Sequence, residues 1–393
     1  MAIDPSYPLL PIINILCATL LLILLIINMI RRAQAFNLAV NILASSLFLT
    51  TMFTGIDMIV WAHDGHLNFP FAYCDIVSHV LMFTSVAKPS CTLLITRQLY
   101  NIVALTSTSG LSLAQRRRNI IVELGIGVCL PAFVTGVLYY IVQPARFAVY
   151  EGLGCFDVID MSGYALIFVY SWALLLPLYS VVFYCPRIVR SLVRRRRLHV
   201  KLFTVEPLTI KPFCPHNGDD SLRLLVLGCF DLLISLPLAA LTFGFQISNA
   251  LALGPAFPFY RGWAPIHEGW APWVNNFVLG NPFGLLRDYI PIVSSIVTGY
   301  ALFTLFGCTE QARTMYMRFF RSILGICLRR DPRRRPSAGA MLPPMQFEAD
   351  ILLSPSVSID LTATITVIPR AATFDFNQCT GIVSMYEGNA LAA

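Results

Sequence analysis

Apolar residues along this chain gather into blocks near 20 residues long, each bounded by Arg, Asp or a Pro/Gly cluster, with neither the helical nor the strand period of a surface element. Seven blocks predict seven membrane-spanning helices at about 9–30, 37–61, 75–96, 120–142, 163–184, 224–245 and 289–306. At about 1.5 Å rise per residue the first covers about 33 Å, enough for a hydrocarbon core of roughly 30 Å. It is also longer than the apolar core of a cleaved secretory signal, and no Lys or Arg precedes it, so a retained span is expected. The fold class is therefore an all-α membrane protein, a bundle of seven transmembrane helices.

Composition agrees with that pattern: 56% of the 393 residues are hydrophobic and only 12% charged, too few charges to clothe a water-soluble surface. The formal net charge of +7 does not indicate nucleic acid, because its arginines flank apolar blocks, where basic residues set membrane orientation. Arg31, Arg32, Arg97, Arg116, Arg117, Arg118, Arg187, Arg190, Arg194, Arg195, Arg196 and Arg197 fall on one side of the expected spans, followed by Arg313, Arg318 and Arg321. The other side carries little more than Arg146, Arg261 and Arg287 among several acids. The positive-inside rule makes the first side cytoplasmic and the amino terminus extracellular, so a multi-pass protein of the plasma membrane is expected.

Cys74 and Cys155 fall on the outer side, at the top of span three and in the second outer loop. A disulfide between them would pin that loop over the bundle; two unrelated thiols are the other reading. After span seven, residues 307–330 place Met315, Tyr316, Phe319, Phe320, Ile323 and Leu324 at helical spacings among arginines, which suits an amphipathic eighth helix on the inner leaflet. Residues 331–393, rich in Pro, Ser and Ala, are expected to form a disordered cytoplasmic tail.

Ionisable residues inside a membrane are costly and mark function. Asp57, Lys88 and Asp231 stand inside the apolar blocks. Lys88 lies nine residues from Arg97 and Asp231 eight from Arg223, so both sit roughly 12 to 14 Å from the cytoplasmic helix ends. Two readings fit: an ion pair joining spans three and six as an activation switch, or Lys88 reaching to the inner interface while Asp231 bonds another helix. Pro89 and Pro237 each remove a helix hydrogen bond and place kinks near these levels. Asp57 lies one turn from Trp61, near the outer surface.

The polar loop motifs carry more specific information. YCDIVSHV from Tyr73, AKPSCTLLITRQLYNI ending at Ile102, YIVQPARFAVYEGLGC from Tyr140 to Cys155, RLLVLGCFDLLISLP from Arg223, GWAPIH at 262–267 and FGCTEQARTMY at 306–316 together resemble the a-factor-type mating pheromone receptors of fungi, particularly basidiomycetes. The resemblance covers about residues 5–320. Two positions depart from it: Tyr73 stands where the family usually has Trp, and Arg97-Gln98 where Arg-Arg is expected.

The resemblance implies a G-protein-coupled receptor whose partners are a farnesylated peptide pheromone and a heterotrimeric G protein. On that reading Trp61, Asp75, His79, Trp263 and His267 would form an outer ligand pocket, with Trp270 and Trp273 beside it. Trp and Tyr also collect at membrane interfaces without any ligand. Arg97, Tyr100, Arg116 to Arg118 and Arg194 to Arg197 would face the G protein, a role that such arginines share with topology and lipid contacts. A transporter and a pheromone-receptor-like protein with another ligand or constitutive activity are the alternatives; no internal repeat supports the transporter. There is no HExxH, GxSxG, Gly-rich phosphate loop or paired His ligand set, so neither an enzyme nor a cofactor or metal is expected.

Overall fold

A computed structural model describes residues 7–30, 37–62, 71–105, 113–194, 218–252, 254, 257–275, 282–308, 312–314 and 317. The expected eighth helix falls mostly, and Arg195, Arg196, Arg197 and the 331–393 tail wholly, outside these residues. The described part belongs to one compact unit, Met1–Arg330.

Seven long helices form it: α1 (Leu9–Ile30), α2 (Leu38–Val60), α3 (Phe71–Leu105), α4 (Ala114–Ile141), α5 (Gly163–Arg194), α6 (Gly218–Ala252) and α7 (Pro282–Gly307). Six contain segments long and apolar enough to cross a membrane. The remaining one, α3, carries Asp75, Lys88 and Arg97 along its length. It takes the central place, packed against α2, α4, α5 and α6, while α1 lies on α2 and α7, and α7 also on α2 and α6.

This inside-out distribution of side chains suits a lipid solvent. Leu16, Ile23 and Ile26 of α1, Ile121 and Phe133 of α4, Val182 and Phe183 of α5 and Leu233 and Leu241 of α6 are exposed. Thr50, Thr51, Thr84, Ser90, Thr92 and Thr96 are buried. Hydroxyls in a dry bundle must find acceptors. Ser90 Oγ donates to the Val86 carbonyl at 2.8 Å and Thr96 Oγ1 to that of Thr92 at 2.7 Å. Between helices, Thr50 Oγ1 donates to Thr84 Oγ1 at 2.9 Å and Asn28 Nδ2 to Asn41 Oδ1 at 2.8 Å. Asn37 caps α2 by accepting from the Val40 amide, and Ser162 caps α5 by accepting from that of Ala165. Two π-helical turns interrupt α4, at Gly125–Cys129 and Val134–Leu138, and two interrupt α5, at Leu166–Tyr170 and Ser180–Tyr184.

A small sheet crosses one end of the bundle. Strands β1 (Ala148–Tyr150) and β2 (Gly154–Phe156) form an antiparallel hairpin, and β3 (Trp273–Asn275), from the segment before α7, runs parallel to β1. Arg116 to Arg118 and Arg194 lie at the other end, exposed at the start of α4 and the finish of α5.

Candidate functional site

The hairpin is fastened to the bundle at several points. Cys155 of β2 is joined by a disulfide to Cys74 in the first turn of α3, with their Cα atoms 5.3 Å apart. Beneath that bond, buried Asp57 of α2 accepts from the Tyr73 hydroxyl at 2.7 Å and from the Cys155 amide at 3.2 Å. Gly154 has φ +94°, and a Cβ there would run into the Asp57 side chain, 2.7 Å from its Cγ. Only glycine combines that backbone angle with so close an approach. Trp61 then accepts the Gly152 amide on its backbone carbonyl at 2.8 Å while its ring stacks on Tyr73 at 6.0 Å.

A second set of contacts ties α3 to α4 and the hairpin. Asp75 forms an ion pair with Arg146, whose Nε donates at 3.1 Å and whose Nη2 approaches more closely. His79 places Nδ1 2.7 Å from the Asp75 carbonyl and its ring edge-on to Tyr139 at 5.6 Å. Burial pushes the Asp157 carboxyl up to about 6, opposed by a bond from its own backbone amide and by nearby His79. Asp160, 3.4 Å from Arg261, is also raised by burial, which that arginine opposes.

Trp61, Asp75 and His79 therefore fasten the end of the bundle. Trp263 and His267 belong to an exposed aromatic stack. His267 lies between Trp263, at 3.9 Å, and Trp270, at 5.1 Å, with Tyr140 packed against all three rings. Its Nδ1 and Nε2 face the carbonyls of Trp263 and Tyr140, at 2.9 and 3.1 Å. Trp273 is in β3, donating its amide to the Phe147 carbonyl at 2.9 Å.

A cavity of about 240 Å³ opens inside the bundle, between α2, α3, α5, α6 and α7. Lys88, Pro89 and Asp231 line it; Pro237 of α6 does not. Of the two arrangements expected, no direct bridge joins Lys88 and Asp231, and Asp231 bonds another helix as the second had it. Lys88 Nζ instead donates to Ser295 Oγ of α7 at 2.9 Å, and the Ser295 hydroxyl in turn donates to the Pro291 carbonyl at 2.7 Å. Asp231 is bonded by the hydroxyl of Thr92, one turn along α3 from Lys88. Each charge is thus met by a hydroxyl on another helix, Lys88 joining α3 to α7 and Asp231 joining α6 to α3. Hydroxyl partners for buried charges leave no sequence signal, since Ser and Thr abound in all these helices.

At the arginine end, Arg97 donates to Asn119 Oδ1 of α4 at 3.1 Å, and Gln98 to Glu123 Oε1 at 2.8 Å. Tyr100 packs against Tyr184 of α5 at 5.8 Å. Arg97 and Tyr100 are thus engaged with neighbouring helices, whereas Arg116 to Arg118 and Arg194 present free surface.

A bundle with an apolar exterior, buried charges and an internal cavity is a multi-pass membrane protein. Comparison with known proteins narrows this. The chain belongs to the pheromone A receptor family, whose model matches residues 11–326, a family of receptors rather than enzymes. It is 26% identical over 302 residues to the Pheromone B alpha 1 receptor of Schizophyllum commune, covering 72% of this chain and 42% of that one. Pheromone receptor 2 of Mycosarcoma maydis is 26% identical over 218 residues, 54% of this chain and 58% of its own. Pheromone receptor 1 of Ustilago hordei is 22% identical over 303 residues, 76% and 80% respectively. The chain thus spans about half the length of the first two. Among solved structures, squid rhodopsin aligns over 81% of this chain and 80% of its own at 12% identity, with a TM-score of 0.44.

Proposed function

We propose that this protein is a G-protein-coupled receptor for a lipid-modified, farnesylated peptide pheromone, that it crosses the plasma membrane seven times with its amino terminus outside, and that it signals through a heterotrimeric G protein. The observation that carries the reading is the family match across residues 11–326, which takes in all seven long helices. α3 is the seventh span despite its charges, because Lys88 is bonded within the bundle and Asp75 is paired at its end. The polarity of the two ends supports the orientation: the disulfide needs an oxidising compartment, while Arg116 to Arg118 and Arg194 crowd the opposite end. Those exposed arginines, rather than Arg97 and Tyr100, are the first candidates for G-protein contact.

The test is a G-protein-dependent reporter in yeast lacking its own pheromone receptors, expressing this chain and exposed to a panel of farnesylated peptides. A response to one peptide that disappears when the farnesyl group is omitted supports the reading. Silence across the panel at verified surface expression argues against it, and high signal without peptide indicates constitutive activity.

A further inference from the structure

The internal cavity combines surfaces that few ligand classes satisfy together. Leu43 and Leu47 of α2, Met82 and Val86 of α3, and Leu238 and Ala239 of α6 give it apolar walls. Lys88 and Asp231 front the same space without touching each other. Among the described residues, the Lys88 ammonium has one hydrogen-bond partner, Ser295, for its three N–H donors, and Asp231 is bonded at one carboxylate oxygen only. Ser235 Oγ, also on the cavity wall, is buried with no partner among the described residues.

A pure hydrocarbon would match the walls but leave a buried ammonium and carboxylate with unused bonding capacity, which is costly. A water-soluble peptide would spend polar surface on apolar walls. A phosphate-headed lipid would suit Lys88 and be repelled by Asp231. What fits is an apolar chain joined to a group that both accepts and donates a hydrogen bond, such as an acylated amino acid with its carbonyl and amide N–H.

We infer that this cavity seats the lipid-bearing end of the peptide. The isoprenoid chain lies along Leu47, Met82, Val86 and Leu238, the carbonyl of the residue that carries it accepts from Lys88, and that residue's amide N–H donates to Asp231. The inference rests on the lipopeptide-receptor reading and moves recognition of the lipid from the aromatic end of the bundle to its interior. The two arms of the lysine–carboxylate pair then read the junction between peptide and lipid, where an unmodified peptide has no chain to fill the walls.

The direct experiment is photoaffinity labelling of the purified full chain in phosphatidylcholine nanodiscs. The probe is N-acetyl-S-farnesylcysteine methyl ester with a diazirine at the far end of the chain, and cross-linked peptides are mapped by mass spectrometry. Labels on wall residues of α2, α3 or α6, displaced by unlabelled probe, are expected. Ala239→Phe, which fills the wall, and separately Lys88→Met and Asp231→Asn should each lower labelling about tenfold or more, as loss of a hydrogen bond to a charged group does. Thr242→Leu, a gentler wall change, serves if any of these does not fold. Labels confined to the lipid-facing Leu233 and Leu241, or to Trp263 and Trp270, or labelling indifferent to every wall variant, would overturn the inference. A yeast response that survives Ala239→Phe with labels outside the cavity would sink the cavity site and leave the receptor standing. Cavity labelling with silence across the peptide panel would do the reverse.

Discussion

The backbone amide of Cys155 donates to the carboxylate of Asp57 at 3.2 Å, so the residue that closes the disulfide is also held from below by a buried acid on α2. The same carboxylate takes the Tyr73 hydroxyl at 2.7 Å. The polar end of Tyr73 completes that arrangement.

Replacing Asp57 by Ala takes the acceptor from the Tyr73 hydroxyl and the Cys155 amide, and a buried donor that loses its acceptor costs about 1–3 kcal/mol. Asp57→Ala is expected to lower the thermal midpoint of the nanodisc-reconstituted protein markedly, and Tyr73→Phe to lower it less, because that change removes donor and demand together on one side only. Equal losses from the two variants would show that the Cys155 bond contributes nothing.

Gly154→Ala adds a left-handed backbone penalty of about 1–2 kcal/mol to the collision with Asp57. Surface expression measured by antibody against an amino-terminal tag should fall strongly. Paired with Asp57→Gly, which clears the space, the combined loss should be smaller than the sum of the two single losses, and strict additivity would separate the two residues.

Removal of the disulfide by Cys74→Ser should cost about 2–5 kcal/mol. The double variant with Cys155→Ser should be no less stable than either single one, as read by thermal unfolding with and without reductant. A further loss in the double variant would mean that the two cysteines act apart.

Burial raises Asp157 from the ordinary carboxylate value of 3.8 to about 6. The folded state then holds its proton more tightly than the unfolded chain does, so this group favours folding below about pH 4 and that contribution is lost as pH rises through about 6. Asp157→Asn keeps a neutral side chain at every pH. It should stabilise the protein at pH 7 and flatten the dependence of the thermal midpoint between pH 4 and 6; an unchanged profile would remove Asp157 from the account.

The helices are legible because apolar blocks of membrane length have no other solvent, yet α3 shows why composition alone stops at six. Its Lys88 and Arg97 are paid for by Ser295 and Asn119 on other helices, partners that no window along the chain contains. Depth is legible too: counting turns from Arg97 and Arg223 places Lys88 and Asp231 at one level, and both line the same cavity. Direction is not, since each residue turns about 100° around the helix axis and no sequence count says which neighbour a lysine meets. Trp61 illustrates the same gap. At a helix end it reads as a pocket rim, but a backbone bond to Gly152 and a stack on Tyr73 bury it under the hairpin. Asp57 has its role through contacts with residues 16 and 98 positions away.

The three-stranded sheet has a mechanical consequence. It draws the segments before α5 and α7 into one plate, bolted to α2 and α3 by Asp57 and the disulfide, while no comparable cross-brace joins the arginine end among the described residues. Helices of 35 residues such as α3 and α6 are about 50 Å long, so a tilt of about 5° pivoting at the plate swings the far end by about 4 Å. Small repacking around the cavity would therefore be geared up with distance from the plate, and the arginine end is where the stroke is longest.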